Sequence, residues 1–315
     1  MIEVKNLTKT YPGVVAVDDV SFTVERGEIV GFLGPNGAGK TTTMRMLTCF
    51  VPPTSGMARV AGFDVVRQSL EVRRRVGYLP ENNPLYTEMR VGEYINFRAK
   101  IKQVPSSERK KRVGDALERC GLTDVRSRII GHLSKGYRQR VGLADAIVHN
   151  PEIVILDEPT IGLDPNQIRQ VRGLIKELGK KHTVILSTHI LSEVEIMCNR
   201  VMIINKGGIV ASGTQNEIVR QVTKGVGRVR LEVKCDGDTA KDKIGGLESV
   251  ERVSLYGGDS GDGFTRLRIE TKDGVDVREG IYDLAVKNNW AVRELAFEKA
   301  SLEDAFVELT GVGKD

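Results

Sequence analysis

Ile29-Val30-Gly31-Phe32-Leu33-Gly34-Pro35-Asn36-Gly37-Ala38-Gly39-Lys40-Thr41 is the stretch that decides the fold. Its first five residues are apolar without polar alternation, which predicts a strand buried on both faces, as in the centre of a parallel sheet. The next eight satisfy G-x-x-x-x-G-K-[ST], placed between that strand and a helix expected from about Gly39 to Cys49. Gly34, Gly37 and Gly39 let the backbone come close to phosphate oxygens, with amides turned inward at the positive end of a helix. Lys40 can reach the β- and γ-phosphates of a nucleotide, and Thr41 offers a hydroxyl oxygen to Mg²⁺. On this segment alone a kinase or a GTPase would do as well as any other phosphate-handling enzyme.

Ile153-Val154-Ile155-Leu156-Asp157-Glu158 narrows the choice, because it reads as an apolar strand ending in two adjacent carboxylates. Beside a phosphate cradle, such a strand brings Asp157 to the nucleotide's Mg²⁺. Glu158 then faces the γ-phosphate, where a carboxylate can act as a base toward water.

Further short apolar strands are expected at Val76 to Leu79, Val184 to Ser187 and Val201 to Ile204, alternating with helices as in an α/β fold. Ile2, Val4 and Leu7, then Val20, Phe22 and Val24, alternate with polar residues as half-exposed antiparallel strands do. From about residue 85 to 150 no convincing strand occurs. Helical patterns at Val91 to Ile101, Ser107 to Cys120 and Tyr137 to His149 predict a helical insertion there. From about Gly225 the texture changes, so two domains are expected, residues 1–222 and 225–315. The second reads as strand 229–234, helix 239–246, strands 250–256 and 264–270, helix 276–288 and strand 291–297, the βαββαβ order of a ferredoxin-like α+β fold. Ser301 with Asp304 three residues on, an apolar stripe from Leu302 to Leu309, and Gly311 predict a capped closing helix.

Composition sets the outer limits. With 28% charged and 40% hydrophobic residues among 315, the chain has globular rather than disordered composition. Nowhere do 18 apolar residues run together, and Met1-Ile2-Glu3-Val4-Lys5 lacks the pattern of a secretory signal, so a cytoplasmic protein is expected. Cys49, Cys120, Cys198 and Cys235 fit neither metal-ligand spacing nor a disulfide scaffold and read as reduced, mostly core thiols. Residues 1–220 carry 32 Lys and Arg against 23 acids, and residues 221–315 carry 15 against 19. That excess is too diffuse to predict a nucleic-acid partner, although it suits anionic phosphates or a membrane surface. Arg73-Arg74-Arg75 and Lys110-Lys111-Arg112 read first as solvated helix faces, and otherwise as runs that face lipid headgroups or a permease.

Leu133-Ser134-Lys135-Gly136-Tyr137, 20 residues before Ile153, resembles the signature motif of the ATP-binding cassette (ABC) family, whose usual form is Leu-Ser-Gly-Gly-Gln. The resemblance covers about residues 1–220, with its motifs in order: Tyr11, the cradle, Pro80-Glu81, the signature, Asp157-Glu158, Gly162-Leu163-Asp164 and His189. It implies the family's P-loop nucleotide-binding domain with a helical subdomain. It further implies that Tyr11 stacks on adenine, and that Gly34, Pro35, Asn36, Gly37, Ala38, Gly39, Lys40, Thr41 and Thr42 hold the phosphates of ATP. Thr41, Asp157 and Glu81 would organise Mg²⁺, Glu158 would polarise the attacking water, and His189 would contact the γ-phosphate. Ser134 and Gly136 would reach ATP bound on a second copy in a head-to-tail dimer, with Asp164 coupling the two sites. His132, His149 and His182 have no such context and read as surface or structural.

Three positions depart from the family's pattern. Glu81 replaces a glutamine that senses Mg²⁺ and the permease, Lys135 replaces a glycine, and Tyr137 replaces a glutamine. Together with the closing helix, these variants resemble exporter-type and gliding-motility ATPases. The expectation is therefore the ATPase subunit of an exporter, docked through a membrane-spanning permease on the cytoplasmic face of the cell membrane. The alternative is a soluble ABC ATPase that drives a cytosolic machine of translation, repair or cluster assembly.

Overall fold

The computed structural model describes residues 1–223, 227–256, 263–298 and 301–311. The chain divides into two compact units, Met1–Thr214 and Gln215–Asp315. The division falls eight residues before the end of the first domain expected from the sequence, at 222, and assigns helix Gln215–Thr223 to the second unit.

The first unit runs β1 (Ile2–Tyr11), β2 (Val14–Val24), β3 (Ile29–Leu33), α1 (Lys40–Leu47), β4 (Ser55–Val60), β5 (Phe63–Asp64), α2 (Ser69–Arg75) and β6 (Val76–Leu79). It continues through α3 (Val91–Ile101), α4 (Ser106–Arg119), α5 (Lys135–Ile147), β7 (Ile153–Asp157), α6 (Pro165–Gly179), β8 (Thr183–Thr188), α7 (Leu191–Met197), β9 (Arg200–Asn205) and β10 (Gly208–Gly213). Two sheets result. β2-β1-β4-β5 is antiparallel, and its alternating residues Ile2, Val4 and Leu7 point into the core. β10-β9-β3-β8-β7-β6 is parallel except at its β10 edge, and every residue of β3, β7 and β8 is buried. Continuous apolar runs suit strands with helices on both faces, which is why β3 and β7 were legible as such.

The helical insertion leaves after β6 and returns at β7, whose Ile153 pairs with Val76. Tyr94, Ile95, Val113, Leu117, Ile130 and Leu143 form its apolar centre. α5 lies directly on β6: a Cβ at Gly77 would stand 2.1 Å from the Ala146 carbonyl oxygen, so only glycine fits. Beneath this contact Asp145, itself buried, takes Arg98 Nε at 2.9 Å and Lys102 Nζ at 3.1 Å. His149 Nε2 lies 3.2 Å from the Val76 carbonyl oxygen, and burial lowers its pKa to about 3, so the ring is neutral.

The second unit opens on α8 (Gln215–Thr223) and continues with β11 (Gly227–Val233), α9 (Gly237–Gly245), β12 (Val250–Leu255), β13 (Thr265–Thr271), α10 (Arg278–Lys287), β14 (Val292–Glu298) and α11 (Leu302–Thr310). Its sheet, ordered β12-β13-β11-β14, is antiparallel throughout. With α9 and α10 this is the expected βαββαβ arrangement, and Val229, Leu231, Leu267 and Ile269 pack against Ile244 and Ile281. α11 packs on α8 and is capped as its sequence predicts. Ser301 and Asp304 exchange hydrogen bonds at its start, and Gly311 at φ +71 ends it.

Two sequence expectations change. Of the four cysteines, all free, only Cys120 is buried, while Cys49, Cys198 and Cys235 are half-buried at element ends. The basic run Arg73-Arg74-Arg75 is engaged rather than simply solvated. Arg74 and Arg75 pair with Glu71, Arg75 stacks on Phe63, and Arg73 donates to the Cys49 carbonyl. Lys110 and Lys111 are exposed, as expected. Among the described residues no helix is long and apolar enough to cross a membrane.

Candidate active site

The carboxyl ends of the parallel strands carry the chemistry. β3 delivers the chain into the loop 34–39, and α1 begins at Lys40 with its free amides facing that loop. Gly39 holds φ +106, and a Cβ there would stand 2.5 Å from the Ala16 carbonyl oxygen, so the sharp entry into α1 requires glycine. The Lys40 ammonium bends back over the loop, donating to the carbonyl oxygens of Gly34 at 2.7 Å and Pro35 at 3.1 Å. It lies 3.5 Å from Glu158 Oε1.

β7 and β8 run side by side with Asp157 opposite Ser187. That register seats the Ser187 hydroxyl on Asp157 Oδ1, while the Thr41 hydroxyl donates to the same oxygen at 3.1 Å. Asp157 Oδ2 is buried and has no hydrogen-bond partner. A hydroxyl and a carboxylate with one oxygen free form a hard-oxygen set of the kind that holds Mg²⁺ alongside nucleotide phosphates. Burial pushes the Asp157 carboxyl above the usual carboxylate range, against the hydrogen bonds from Ser187 and Thr41. A cation at Oδ2 would restore the charged form.

Glu158 is the next residue and adopts a left-handed backbone conformation, φ +47. For a non-glycine residue this costs on the order of 1 kcal/mol. The conformation turns the side chain out of the strand direction toward the cradle. His189 Nδ1 stands 2.9 Å from Glu158 Oε2, and the carboxylate is otherwise almost sealed from solvent. Burial raises the Glu158 pKa, opposed by His189 and Lys40. The result is a desolvated carboxylate of raised basicity beside a cation and a phosphate-sized loop.

Lys40, Thr41, Glu158 and His189 share one cleft of about 600 Å³, whereas Gly34, Pro35 and the fully buried Asp157 do not line it. Tyr11 and Ala16 form one wall, and Asn36, Gly37, Ala38, Gly39, Lys40, Thr41 and Thr42 form the floor. Glu81, Glu158, Ile161 and His189 close the other side. Tyr11 is partly exposed, and the Lys9 ammonium lies 5.2 Å from its ring centroid. Ser134, Gly136 and Asp164 do not line this cleft. They gather elsewhere: Ser134 caps α5, Asp164 caps α6, and the Gln167 side chain lies over Gly136 while its backbone amide donates to Asp164 Oδ1 at 2.9 Å. The Lys135 ammonium covers Gly162, so the signature segment and the loop before α6 are packed together within one chain.

Sequence reasoning missed Ser187, Thr160 and Thr188, the polar residues that brace Asp157 and the loops around Glu158 and His189. The available signal was a strand, β8, whose last two residues turn polar beside the carboxylate strand. The remaining histidines behave as expected: His149 and His182 bond to main-chain carbonyls, and His132 is exposed.

A second groove, of about 370 Å³, opens between α1, β6 and the helical insertion. Phe50, 71% exposed, Arg73 and Pro84 rim it, and the Arg98–Asp145–Lys102 cluster lies at its floor. The segment Pro80 to Pro84 separates the two clefts, with Glu81 facing the first and Asn82 and Asn83 the second.

Comparison with known proteins agrees with this geometry. The ABC transporter family model matches residues 17–161. The bacitracin transport ATP-binding protein BcrA of Bacillus licheniformis is 35% identical over 99% of this chain and 98% of its own length. The daunorubicin/doxorubicin resistance ATP-binding protein DrrA of Streptomyces peucetius is 32% identical over 98% of this chain and 92% of its own. Among solved structures, the dimeric ATP-binding cassette MJ0796 bound to ADP and Pi superposes with a TM-score of 0.63. It is 26% identical and covers 68% of this chain and 98% of that one. With a phosphate cradle, a paired carboxylate strand and full-length relatives of this kind, the chain belongs to the ABC transporter ATP-binding proteins.

Proposed function

We propose that this chain is the ATP-hydrolysing subunit of an ABC exporter, working as a head-to-tail homodimer beneath membrane-spanning permease chains. One observation carries the hydrolytic reading: the buried Glu158 carboxylate is held between Lys40 and His189 at the edge of the phosphate cradle. In this reading Tyr11 stacks on the adenine, and the amides of the loop 34–42 with the Lys40 ammonium hold the β- and γ-phosphates. Thr41, Asp157 and Glu81 hold Mg²⁺, which when bound neutralises charge on the phosphate oxygens. Glu158 orients a water and takes its proton as the water oxygen bonds to the γ-phosphorus and the bond to ADP breaks. His189 steadies Glu158 and meets the γ-phosphate.

Ser134, Gly136 and Asp164 stand outside the cleft of their own chain, which supports a site completed by a second copy. Amides at the start of α5 would then face the partner's γ-phosphate. Export, rather than another load, is supported by similarity to resistance and antibiotic-transport proteins that extends through the second unit. The groove rimmed by Phe50 and Arg73 is where we place the permease, because the segment Pro80 to Pro84 separates it from the nucleotide cleft, with Glu81 on the nucleotide side and its neighbours Pro80, Asn82 and Asn83 on the groove side, and can report one to the other. Mobility of that link would make transport and hydrolysis interdependent.

The test is capture of the Glu158→Gln chain with ATP from detergent-solubilised native cells. Recovery of a polytopic membrane protein is expected. Recovery of soluble partners alone would overturn the exporter reading and leave the ATPase driving a cytosolic machine. Retained steady-state hydrolysis by Glu158→Gln would remove Glu158 from the role of base.

A further inference from the structure

Glu193 lies in the first turn of α7 and is fully buried. Each of its oxygens takes a threonine hydroxyl from a different segment: Thr160 in the turn after β7 and Thr188 at the end of β8. Thr160 Oγ1 donates to Oε1, and Thr188 Oγ1 donates to Oε2 at 2.9 Å. Thr160 stands two residues after Glu158, and Thr188 stands immediately before His189. The Thr188 hydroxyl also accepts from the Ile190 amide at 3.1 Å, which orients its proton toward Glu193. On the side away from the cleft, Arg172 Nη2 of α6 lies 3.9 Å from Oε1 and donates to the Ser192 hydroxyl at 3.3 Å.

A buried carboxylate is expensive unless it is hydrogen-bonded and paired, so one that bridges two loops is retained at a cost that passive packing does not require. An apolar side chain could fill the same space without desolvating a charge. What it could not do is fix the separation of two hydroxyls, one in the turn after β7 and one at the end of β8. Each hydroxyl sits within two residues of one member of the Glu158–His189 pair, whose contact is 2.9 Å. Glu158 itself is held in a left-handed conformation that relaxes unless its surroundings determine it. The Glu158 amide is tied to Ser187, the neighbour of Thr188, at 3.1 Å to the carbonyl and 3.2 Å to the hydroxyl. The two loops are therefore joined twice, once by main chain and once through Glu193.

From this we infer that Glu193 is a positioning residue for hydrolysis: its carboxylate clamps Thr160 to Thr188 and thereby sets the distance and angle between Glu158 and His189. The inference rests on the reading in which Glu158 acts on the attacking water. Glu193 touches no reacting group, and the phosphate cradle is built without it, so the clamp governs turnover rather than nucleotide binding.

The experiment compares Glu193→Gln, Thr160→Val, their combination and Glu158→Gln in the full chain, reading kcat and KM for ATP together with thermal unfolding. Displacements of the order of an ångström cost up to about 10²-fold in rate, so at least about a tenfold fall in kcat is expected for Glu193→Gln and for Thr160→Val. KM should stay within about twofold, and the combination should be no worse than the weaker single variant, because both changes break the same clamp. A folded Glu193→Gln chain with unchanged kcat overturns the inference, as does a combination whose effects multiply. If Glu193→Gln does not fold, Thr160→Val decides alone, since it keeps the shape and the buried charge's other partners. Glu158→Gln separates the two claims. Full turnover there defeats the reading of Glu158, whereas its loss beside an unaffected Thr160→Val defeats the clamp only.

Discussion

Replacing Asp145 with asparagine removes the single negative charge facing Arg98 and Lys102 in the helical insertion. The geometry sets the size of the effect. Asp145 is 7% exposed and holds both cations within 3.1 Å, while its own main-chain carbonyl accepts a further bond from Lys102 Nζ at 2.5 Å. Removing one partner from a fully buried ion pair costs about 3–5 kcal/mol. The Arg98 and Lys102 side chains keep 30% and 17% of their surface, so part of the orphaned charge is rehydrated through the groove. A loss of about 2–3 kcal/mol is expected, or roughly 5–10 °C in the unfolding midpoint of the first unit. Far-UV circular dichroism in urea and on heating is the appropriate readout. Trp290, the only tryptophan, lies in the second unit, and its fluorescence would follow the wrong transition. Asp145→Leu combined with Lys102→Met should recover part of the loss, because the more buried of the two cations is removed with its partner and only the better-exposed Arg98 is left unpaired. A loss below about 0.5 kcal/mol for Asp145→Asn, or a double variant no better than the single one, would refute the reasoning.

Three further outcomes follow from the same structure. Lys40→Ala should weaken ATP binding by at least about tenfold in titration with a fluorescent nucleotide, since a charge-assisted contact contributes about 1.5–3 kcal/mol; unchanged affinity would remove Lys40 from the cradle. Between pH 6.5 and about 3 the unfolded chain protonates His149 while the folded chain does not, so stability falls as pH falls, by up to about 1.4 kcal/mol per unit. His149→Gln should remove that slope, narrowing the difference in urea stability between pH 7 and pH 5 by about 2 kcal/mol. Gly77→Ala should unseat α5 from β6 and lower the melting temperature by several degrees, because the new methyl would meet the Ala146 carbonyl rather than a yielding side chain.

The legible parts of this molecule are those whose information is local. β3, the glycine loop and α1 are consecutive in sequence, so apolar run, turn chemistry and helix start could be read together. The same holds for β7 with its two terminal carboxylates, for α3, and for the capped α11. The split order of the second unit was readable because each of its elements keeps its own periodicity. What the sequence hid depends on which strands become neighbours. Ser187 reaches Asp157 because β8 lies in register against β7, a pairing that spans 30 residues and leaves no trace in either segment. Glu193 reads as one more acidic residue in a helix's first turn, and only the meeting of Thr160 and Thr188 above it reveals two oxygens in use. Likewise the contact of Lys135 with Gly162 needs α5 and the loop before α6 in place, so sequence showed the lysine only as a departure from a pattern. The unit boundary moved because α8 buries Ile218 and packs on α11, a partner nearly 80 residues further along.

The insertion between β6 and β7 has a further meaning for how such proteins diversify. Because the chain departs from one strand and returns on its immediate neighbour, the pairing of Val76 with Ile153 constrains only the part of the insertion that packs on it, namely α5 on β6. The outer residues of the intervening helices can change while α5 stays seated on β6 and the strand that leads to Asp157 and Glu158 keeps its register. Descendants of one motor can in this way vary the outer surface of an inserted module without retuning the engine that drives them.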